Sequence, residues 1–299
     1  MNILLTGGTG LFGRALCRQL SAQGHQLVVL SRQPAKVAGL CGTAVRGVSQ
    51  LAELDREPLD AVINLAGAPI ADARWSEARK RELWNSRVTL TEQLVDWLGK
   101  REQRPSVLVS GSAVGWYGDK GEQVVDETSS PHSEYTHMLC DAWEAAARRA
   151  GSYGIRVCLL RTGLVLAPNG GFLKRLLPPF RMGLGGPIGN GQQYLSWVHI
   201  DDMLGIIRFL LDNPECRGPY NASAANPASS REFARTLGKQ LHRPAVLPLP
   251  APLLKLALGE MSRLLLTGQR VLPARLQQAG YQFHYSDLDA ALASVLKKH

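Results

Sequence analysis

Three glycines near the amino terminus are spaced as in a loop that binds phosphate groups. Gly7, Gly10 and Gly13 follow an apolar run at residues 3–6 and precede an amphipathic stretch at residues 14–23. Glycines at this spacing permit a tight turn close to a pyrophosphate, and the N–H groups that begin the next helix attract its charge. Strand, glycine loop and helix in this order are the context that such a motif requires. We expect every residue of the loop to contact a dinucleotide: Gly7, Gly8, Thr9, Gly10, Leu11, Phe12 and Gly13.

The residues after the second apolar run distinguish the two nicotinamide dinucleotides. In NAD-binding folds an acidic residue at this place, about 20 residues after the loop, binds the ribose 2′-hydroxyl. This chain has Ser31 and Arg32 there. An arginine attracts a 2′-phosphate that a carboxylate would repel, and the serine adds a hydroxyl. The sequence therefore predicts NADP(H) as the cofactor, with a solvent-facing Arg32 as the alternative.

The elements that would position these residues alternate between short apolar runs and longer helical patterns. This alternation is typical of βαβ units around a parallel sheet, which binds its ligand outside the carboxyl ends of the strands. The candidate strands are residues 3–6, 26–31, 44–47, 61–65, 106–110 and 156–161. We expect an α/β fold with a Rossmann-type doubly wound parallel sheet and a small, mainly helical carboxyl-terminal lobe.

The pattern changes after residue 161 and suggests a domain boundary. Residues 1–162 would form the dinucleotide-binding domain, and residues 163–299 a substrate-side lobe with a carboxyl-terminal extension, the two being interleaved around residues 195–222. Residues 167–191 are rich in glycine and proline and predict a loop or lid. Helical patterns follow at residues 201–211, 230–241, 252–266 and 286–298.

Charge and cysteine content limit the partners. The chain of 299 residues carries a formal net charge of +9, but its basic residues are spread out and alternate with acids, so we expect no specific nucleic-acid partner. The five cysteines form no C-x-x-C pair, which favours reduced thiols and a cytoplasmic location. No segment reaches the roughly 18 apolar residues of a membrane span, so we expect no membrane association.

With these residues in hand, the chain resembles the extended and atypical short-chain dehydrogenase/reductases, the group that contains nucleoside-diphosphate-sugar epimerases. The resemblance spans nearly the whole length. Its cofactor loop corresponds to residues 6–13, and two further signatures to residues 64–67 and 197–202. Several further segments resemble an epimerase-like subfamily of unassigned substrate that has its own carboxyl-terminal extension. These segments are residues 74–75, 86–87, 140–144, 185–189, 272–273 and 279–281.

This resemblance implies roles for two further groups of residues. Leu65, Ala66 and Gly67 would line the adenine and nicotinamide-ribose side of the cofactor, although the same tripeptide also suits a tight β-to-α turn. Arg87 would point to the cofactor phosphates, although a solvated arginine is equally compatible with its charged helix. The resemblance also implies a small-molecule substrate between the sheet and the carboxyl-terminal lobe.

The catalytic residues of the family are only partly present. Ser112 aligns with the polarising hydroxyl after the fifth strand, with a turn or helix-capping serine as the alternative. The family's Tyr-x-x-x-Lys pair is absent, because none of the seven tyrosines is followed by lysine four residues later. Thr136 and Cys140 occupy the places of that pair, and Tyr135 lies one residue early. Tyr117 is more consistent with an aromatic residue packed under a lid than with a catalytic group.

Two sets of possible metal ligands are more consistent with structural roles. His199 with Asp201 and Asp202, and His137 with Cys140, each lack the further ligands of a closed site, so we expect no metal. Asp201 or Asp202 would instead cap the helix at residues 201–211, and His199 would belong to the preceding strand.

Two functions remain open on the sequence. The first is an NADP(H)-dependent oxidoreductase or epimerase acting on a small polar or nucleotide-sugar-like substrate, with Ser112 in a catalytic role. The second is a non-catalytic NADP(H)-binding module that senses redox state or serves as a scaffold. The missing Tyr/Lys pair favours the second. The glycine-rich lid and the carboxyl-terminal lobe imply a second ligand, and we therefore favour the first.

Overall fold

A parallel sheet of seven strands forms the centre of the molecule, as seen in a computed structural model that describes residues 1–168 and 170–297. The strands, in chain order, are β1 (Asn2–Thr6), β2 (Gln26–Leu30), β3 (Arg46–Val48), β4 (Ala61–Asn64), β5 (Val107–Ala113), β6 (Val124–Val125), β7 (Arg156–Thr162), β8 (Leu164–Leu166), β9 (Tyr194–Leu195), β10 (Trp197–His199), β11 (Gly218–Ala222), β12 (Ala228–Ser229) and β13 (Arg270–Val271). The order across the main sheet is β3-β2-β1-β4-β5-β7-β11, and every neighbouring pair is parallel. This is the predicted Rossmann-type sheet.

Helices cover both faces of this sheet. They are α1 (Leu11–Ala22), α2 (Val37–Cys41), α3 (Glu77–Trp84), α4 (Leu90–Lys100), α5 (Tyr135–Arg148), α6 (Gly171–Arg181), α7 (Ile200–Asp212), α8 (Ser230–Gln240), α9 (Ala251–Leu258), α10 (Arg263–Leu266), α11 (Ala274–Gln278) and α12 (Leu288–Lys297). Successive residues of β1 point to opposite faces: Leu5 packs in one core with Leu16 of α1, and Leu4 in another with Leu94 of α4. Burial on both faces explains why the central strands are apolar throughout.

The edge strand β11 was not among the six strand candidates. Its sequence, Gly218 to Ala222, begins with glycine and proline and contains an asparagine, a composition that disfavours a strand. Its position is set by tertiary pairing instead, because it aligns with β7 from Gly218 opposite Cys158 to Ala222 opposite Thr162. The chain therefore returns to the main sheet after residue 162. The division into two domains at this residue stays a prediction.

The predicted loop at residues 167–191 is partly wrong, because α6 lies within it. Leu173, Leu177 and Phe180 recur at helical spacing. They are buried with residues of α8 and α12 in a core that is separate from the two on the faces of the main sheet. This apolar face holds the helix together although Pro178 and Pro179 lie near its end. Asn169, which belongs to the same predicted loop, lies outside the described residues.

Two other predicted helices differ from the structure at their ends. The pattern at residues 252–266 forms two helices, α9 and α10, because Gly259 adopts a positive φ of 61° between them and a short 3₁₀ turn follows. The last helix, α12, is described to Lys297, and its predicted final residue, Lys298, lies outside the described part of the chain.

The cap of α7 is His199 and not an aspartate. The His199 ring accepts a hydrogen bond from the Asp201 backbone N–H at 3.1 Å, and Asp201 lies in the first turn. The capping prediction was therefore wrong, and the strand assignment of His199 was right. Asp202 is fully buried and accepts hydrogen bonds from the backbone N–H groups of His284 (2.8 Å) and Tyr285 (2.9 Å), so it fixes the segment before α12.

Residues 1–168 and 170–297 hold neither a membrane-spanning helix nor a cluster of metal ligands. No helix in these ranges is long and apolar enough to cross a bilayer. The same ranges contain no group of three or more His, Cys, Asp or Glu side chains that could hold a metal ion.

Candidate functional site

The glycine loop between β1 and α1 leaves no room for side chains at two positions. Gly7 has a positive φ of 72°, and a Cβ at this residue would lie 2.5 Å from the carbonyl oxygen of Leu65. A Cβ at Gly13 would collide with the carbonyl oxygen of Gly7. The Gly10 N–H donates to that same oxygen at 3.0 Å and closes the turn. The loop is thus held against the chain segment that follows β4.

The start of α1 presents free N–H groups at this edge. Gly10 is the N-cap in an extended conformation, and no side chain caps the helix. The first turn of a helix leaves its N–H groups without intrahelical partners, and the helix dipole adds a partial positive charge. Thr9, Leu11 and Phe12 are all partly or fully exposed around these groups, whereas Gly8 is buried against Val29. The arrangement is suited to an anionic ligand.

Ser31 and Arg32 lie at the same edge of the sheet as the glycine loop. Leu30, the last residue of β2, pairs with Thr6, the last residue of β1, so the two loops leave the sheet side by side. The Ser31 hydroxyl accepts a hydrogen bond from the Gln33 N–H at 3.1 Å and stabilises the turn. Arg32 is exposed. Its guanidinium is therefore accessible to a ligand bound at the loop.

Buried polar side chains fix the segment after β4. The Thr6 hydroxyl donates to the Asn64 side-chain oxygen at 2.6 Å and accepts from the Ala66 N–H at 3.1 Å. The Asn64 amide donates in turn to the hydroxyl groups of Thr91 (2.8 Å) and Ser110 (3.2 Å). Because Thr6, Asn64 and Ser110 come from three adjacent strands, this network sets where Leu65, Ala66 and Gly67 emerge at the sheet edge. Sequence reasoning missed it, although hydroxyl and amide residues at three strand ends were visible.

Arg87 lies over Gly67. Its guanidinium donates to the Ala68 carbonyl oxygen at 2.9 Å, and a Cβ at Gly67 would lie 3.0 Å from the Arg87 Cζ. Burial lowers the pKa of Arg87, and no carboxylate among the described residues pairs with it. It belongs to a π-helical segment, Asn85–Thr89, between α3 and α4, and such segments are frequent at functional sites. The structure therefore places a partly desolvated cation beside the segment that follows β4, and its contact with phosphate stays a prediction.

Ser112, the catalytic candidate, is hydrogen-bonded to a buried ion pair between Glu144 and Arg161. It is 4% exposed, and its hydroxyl donates to Glu144 Oε1 at 2.8 Å. Arg161 Nε donates to the same oxygen at 2.7 Å, and its Nη2 to Glu144 Oε2 at 3.0 Å. Arg148 adds a third cationic contact at 2.6 Å. The hydroxyl proton of Ser112 is thus directed into the core, which leaves its lone pairs as the groups that could meet a ligand.

Tyr117 extends the same network towards the carboxyl-terminal region. Its hydroxyl donates to the Asn221 side chain at 2.8 Å and accepts from Arg161 Nη1 at 3.1 Å. Burial raises the pKa of Tyr117 to about 12, although the neighbouring Arg161 acts in the opposite direction. Tyr117 is therefore buried, as predicted, and it also takes part in a hydrogen-bond network. Arg161 could have been suspected from the sequence, since a charged residue in the buried strand β7 requires a partner.

Thr136 and Cys140, which the sequence comparison set at the places of the family's Tyr/Lys pair, lie in packed surroundings. Thr136 packs close to Gly115, and Cys140 is a buried thiol whose pKa is raised by burial to about 12. Tyr135 packs on Trp75, with ring centroids 4.9 Å apart, and the Nζ of Lys80 lies 5.0 Å from its ring centroid. The Tyr135 hydroxyl is buried and has no hydrogen-bond partner among the described residues. Burial raises its pKa as well.

Comparison with known proteins covers the full chain. Residues 3–223 match the NAD dependent epimerase/dehydratase family, and residues 249–295 match a domain of unknown function, DUF1731. The chain is 38% identical to the Epimerase family protein SDR39U1 homolog, chloroplastic, of Arabidopsis thaliana, over 99% of this chain and 87% of that protein. It is 36% identical to Epimerase family protein YfhF of Bacillus subtilis, over 99% of this chain and 98% of that protein.

A solved structure with a similar fold comes from the same set of relatives. The crystal structure of human epimerase family protein SDR39U1 (isoform 2) with NADPH superposes with a TM-score of 0.90. Its sequence is 36% identical, and the match covers 100% of both chains. The similarity to this group that residues 6–13, 64–67 and 197–202 indicated is thereby confirmed.

Proposed function

Because this chain belongs to the NAD dependent epimerase/dehydratase family, we propose that it binds NADP(H) at the glycine loop and acts as an oxidoreductase or epimerase on a small polar or nucleotide-sugar-like substrate. The observation that carries the proposal is the loop itself, where Gly7 and Gly13 admit no Cβ and α1 begins with uncapped N–H groups. The human relative with NADPH, similar over its whole length, supports the choice of cofactor.

The residues of the site fit NADP(H) part by part. The pyrophosphate would lie against the N–H groups of residues 11–13, and the Arg87 guanidinium would point to it. The 2′-phosphate would contact Ser31 and Arg32, which carry the hydroxyl and the planar donor groups that phosphate prefers. Leu65, Ala66 and Gly67 form a strand end of small side chains across which a flat ring can lie. The cofactor, when bound, supplies hydride transfer.

Ser112 is the residue that we assign to the reacting oxygen of the substrate. Since its proton is directed to Glu144, the Ser112 oxygen is oriented to accept a hydrogen bond from a substrate hydroxyl. Arg161 and Arg148 hold the Glu144 carboxylate in place and thus fix the direction of the serine hydroxyl. Glu144 and Arg161 are in this scheme positioning residues, and the catalytic assignment concerns Ser112 alone.

A non-catalytic NADP(H)-binding module is the second candidate, and one observation favours it. Ser112, which aligns with the family's serine, donates its proton to the buried Glu144 carboxylate. No tyrosine of the chain is followed by a lysine four residues later, as the family's proton relay would require. In this case the protein would bind the cofactor with the same preference, but no substrate would oxidise it.

Fluorescence titration with NADPH and NADH tests the proposed cofactor. Charge-assisted hydrogen bonds to phosphate contribute about 1.5 to 3 kcal/mol, so we expect NADPH to bind roughly ten- to hundredfold more tightly than NADH. Arg32→Ala should abolish this preference. The matched control is Arg235→Ala, which removes an exposed arginine on α8 in the carboxyl-terminal region and should leave both affinities unchanged. Equal affinities of the native protein for both cofactors would contradict the assignment of Arg32.

Oxidation of bound NADPH separates the two candidates. Stopped-flow absorbance with a panel of carbonyl compounds and sugar nucleotides should give turnover with at least one of them if the protein is an oxidoreductase. Conversion of a sugar nucleotide into its epimer without net oxidation or reduction of the cofactor would instead report an epimerase, because the hydride passes to the cofactor and returns to the sugar. Tight NADPH binding without either signal would favour the non-catalytic module.

A further inference from the structure

Exposed apolar side chains are concentrated in one region of the carboxyl-terminal half. Of the twelve large apolar residues that are exposed in the described chain, seven lie between residues 182 and 256. We call them the apolar strip: Met182, Leu184, Val246, Leu247, Leu249, Leu253 and Leu256. Leu256 is 77% exposed and Val246 73% exposed. Contiguous apolar surface of this kind marks an interaction site.

The strip is built on a fixed backbone. Two segments run side by side, because the Leu247 N–H donates to the Gly185 carbonyl oxygen (3.1 Å) and the Leu249 N–H to that of Pro187 (2.9 Å). The Gly189 N–H then donates to the Leu249 carbonyl oxygen at 2.9 Å. A Cβ at Gly186 would collide with the backbone of Leu247, so the two segments approach as closely as glycine allows. The apolar side chains therefore project from an ordered platform.

Helix α9 continues the platform directly. Leu253 and Leu256 are three residues apart and share its outer face, whereas Leu254 is buried. The outer face also carries Lys255 and contains no acidic residue. Exposing these leucines to water does not stabilise the helix. We therefore expect a binding partner to cover the outer face of α9.

The segments that contain the strip carry cations and no acids. Residues 163–200 and 233–259 include no aspartate or glutamate. Arg175 and Lys239 of these segments pair with Asp72 and Asp289 of other segments. The exposed cations Lys174, Arg181, Arg243 and Lys255 have no ion pair with a carboxylate among the described residues. The apolar strip is therefore bordered by cations with no neutralising acid in its own segments.

We propose that the apolar strip docks this protein on the surface of an anionic lipid bilayer. Exposed apolar side chains next to unpaired lysine and arginine are the combination that binds an acidic membrane interface, the apolar groups entering the acyl boundary and the cations remaining at the headgroups. A second copy of this chain is a poor occupant, since a two-fold interface would bring two patches of like charge together. The protein would lie on the bilayer and would not cross it, which departs from the expectation of no membrane association drawn from the sequence.

Vesicle flotation with the full chain tests the proposal. The probes are large unilamellar vesicles of equimolar phosphatidylglycerol and phosphatidylcholine, with vesicles of phosphatidylcholine alone for comparison. We expect the protein to float with the anionic vesicles at low salt and to remain at the bottom with the neutral ones. Arg243→Gln and Lys255→Gln should each weaken the partition about fivefold, and Leu253→Glu with Leu256→Glu at least about tenfold.

The control variant is Met138→Glu, which places the same charge on an apolar residue that is 53% exposed on α5, outside the strip. It should float like the native protein. Far-UV circular dichroism melting of every variant checks that the fold is retained, and all substituted side chains are exposed. Absence of flotation with anionic vesicles overturns the proposal, as does flotation that the strip variants leave unchanged. A strip-dependent dimer in sedimentation velocity without flotation would assign the surface to a second copy.

Discussion

Replacement of Glu144 with glutamine is expected to destabilise the fold strongly, because it leaves a buried arginine without its counter-charge. Glu144 is fully buried and Arg161 is 1% exposed, and the two share two hydrogen bonds of 2.7 and 3.0 Å. Burial alone would lower the pKa of Arg161, but the hydrogen bonds that it donates to the charged Glu144 carboxylate raise that pKa above its ordinary value. Removing one member of such a pair costs about 3–5 kcal/mol. This is a large part of the roughly 5–15 kcal/mol by which domains are stable.

The measurement is urea unfolding followed by far-UV circular dichroism, with the free energy of unfolding obtained by linear extrapolation. The matched control is Arg148→Gln, which removes the second cation on the same carboxylate. Since the Arg148 side chain is 46% exposed, its ion pair is worth about 1 kcal/mol or less. The double variant Glu144→Gln with Arg161→Met, which removes both charges, should recover much of the lost stability.

A single result would refute the reasoning. If Glu144→Gln lowered the free energy of unfolding by no more than Arg148→Gln does, the buried pair would contribute no more than an exposed one. Failure of the double variant to recover stability would show instead that packing of the Arg161 side chain, and not its charge, is what the network requires. Both outcomes are read from the same unfolding curves.

Two further predictions concern the hydroxyl groups of this region. Single-turnover reduction of NADP⁺ by a hydroxyl-bearing sugar nucleotide from the panel should fall about tenfold in Ser112→Ala, which removes the hydrogen bond that Ser112 accepts from the substrate hydroxyl. It should fall little in Tyr135→Phe, since burial raises the pKa of Tyr135 and keeps it protonated at neutral pH. A dead Tyr135→Phe beside an active Ser112→Ala would contradict this. Burial also raises the pKa of Tyr117 and of Tyr220 to about 12, above the value of about 10 in the unfolded chain. Their neutral forms therefore stabilise the fold fully below pH 10, and that contribution is lost as the pH rises towards 12. In an alkaline titration, the tyrosinate absorbance of these two residues should appear together with the loss of circular dichroism. The rise in tyrosinate absorbance that accompanies this loss should be smaller in Tyr117→Phe than in the native protein.

The parts of the fold that local sequence determines were predicted from the sequence. The glycine loop and the six candidate strands follow from apolar runs and glycine spacing, which act over a few residues. The order of the strands across the sheet was not predicted. The strand β11 and the helix α6 were missed, because both are held by tertiary contacts that override an unfavourable local composition. His199 caps α7 through its ring, a role for which its residue type gives no strong signal.

The environment of Ser112 could not be read from the sequence for a geometric reason. Its partner Glu144 is 32 residues away on α5, and Arg161 is a further 17 residues along the chain on β7. Only the pairing of β5 with β7, which sets Ser112 directly opposite Arg161, brings the three side chains together. A motif identifies which residue type stands at a strand end, whereas the direction of its hydroxyl depends on what the neighbouring strand carries.

The Ser112 network and the missing Tyr/Lys pair lead to one consequence for how this site could work. In the family a lysine on the tyrosine's own helix supplies the cation, whereas here Arg161 supplies a cation from the neighbouring strand and is neutralised by Glu144. A neutralised cation cannot lower the pKa of a nearby hydroxyl as a free one does, because its field is opposed by the carboxylate at contact distance. The Arg87 guanidinium has no such carboxylate among the described residues and lies beside the segment that follows β4. Arg87 is therefore the partly buried cation whose field would reach a ligand bound at this segment with least opposition.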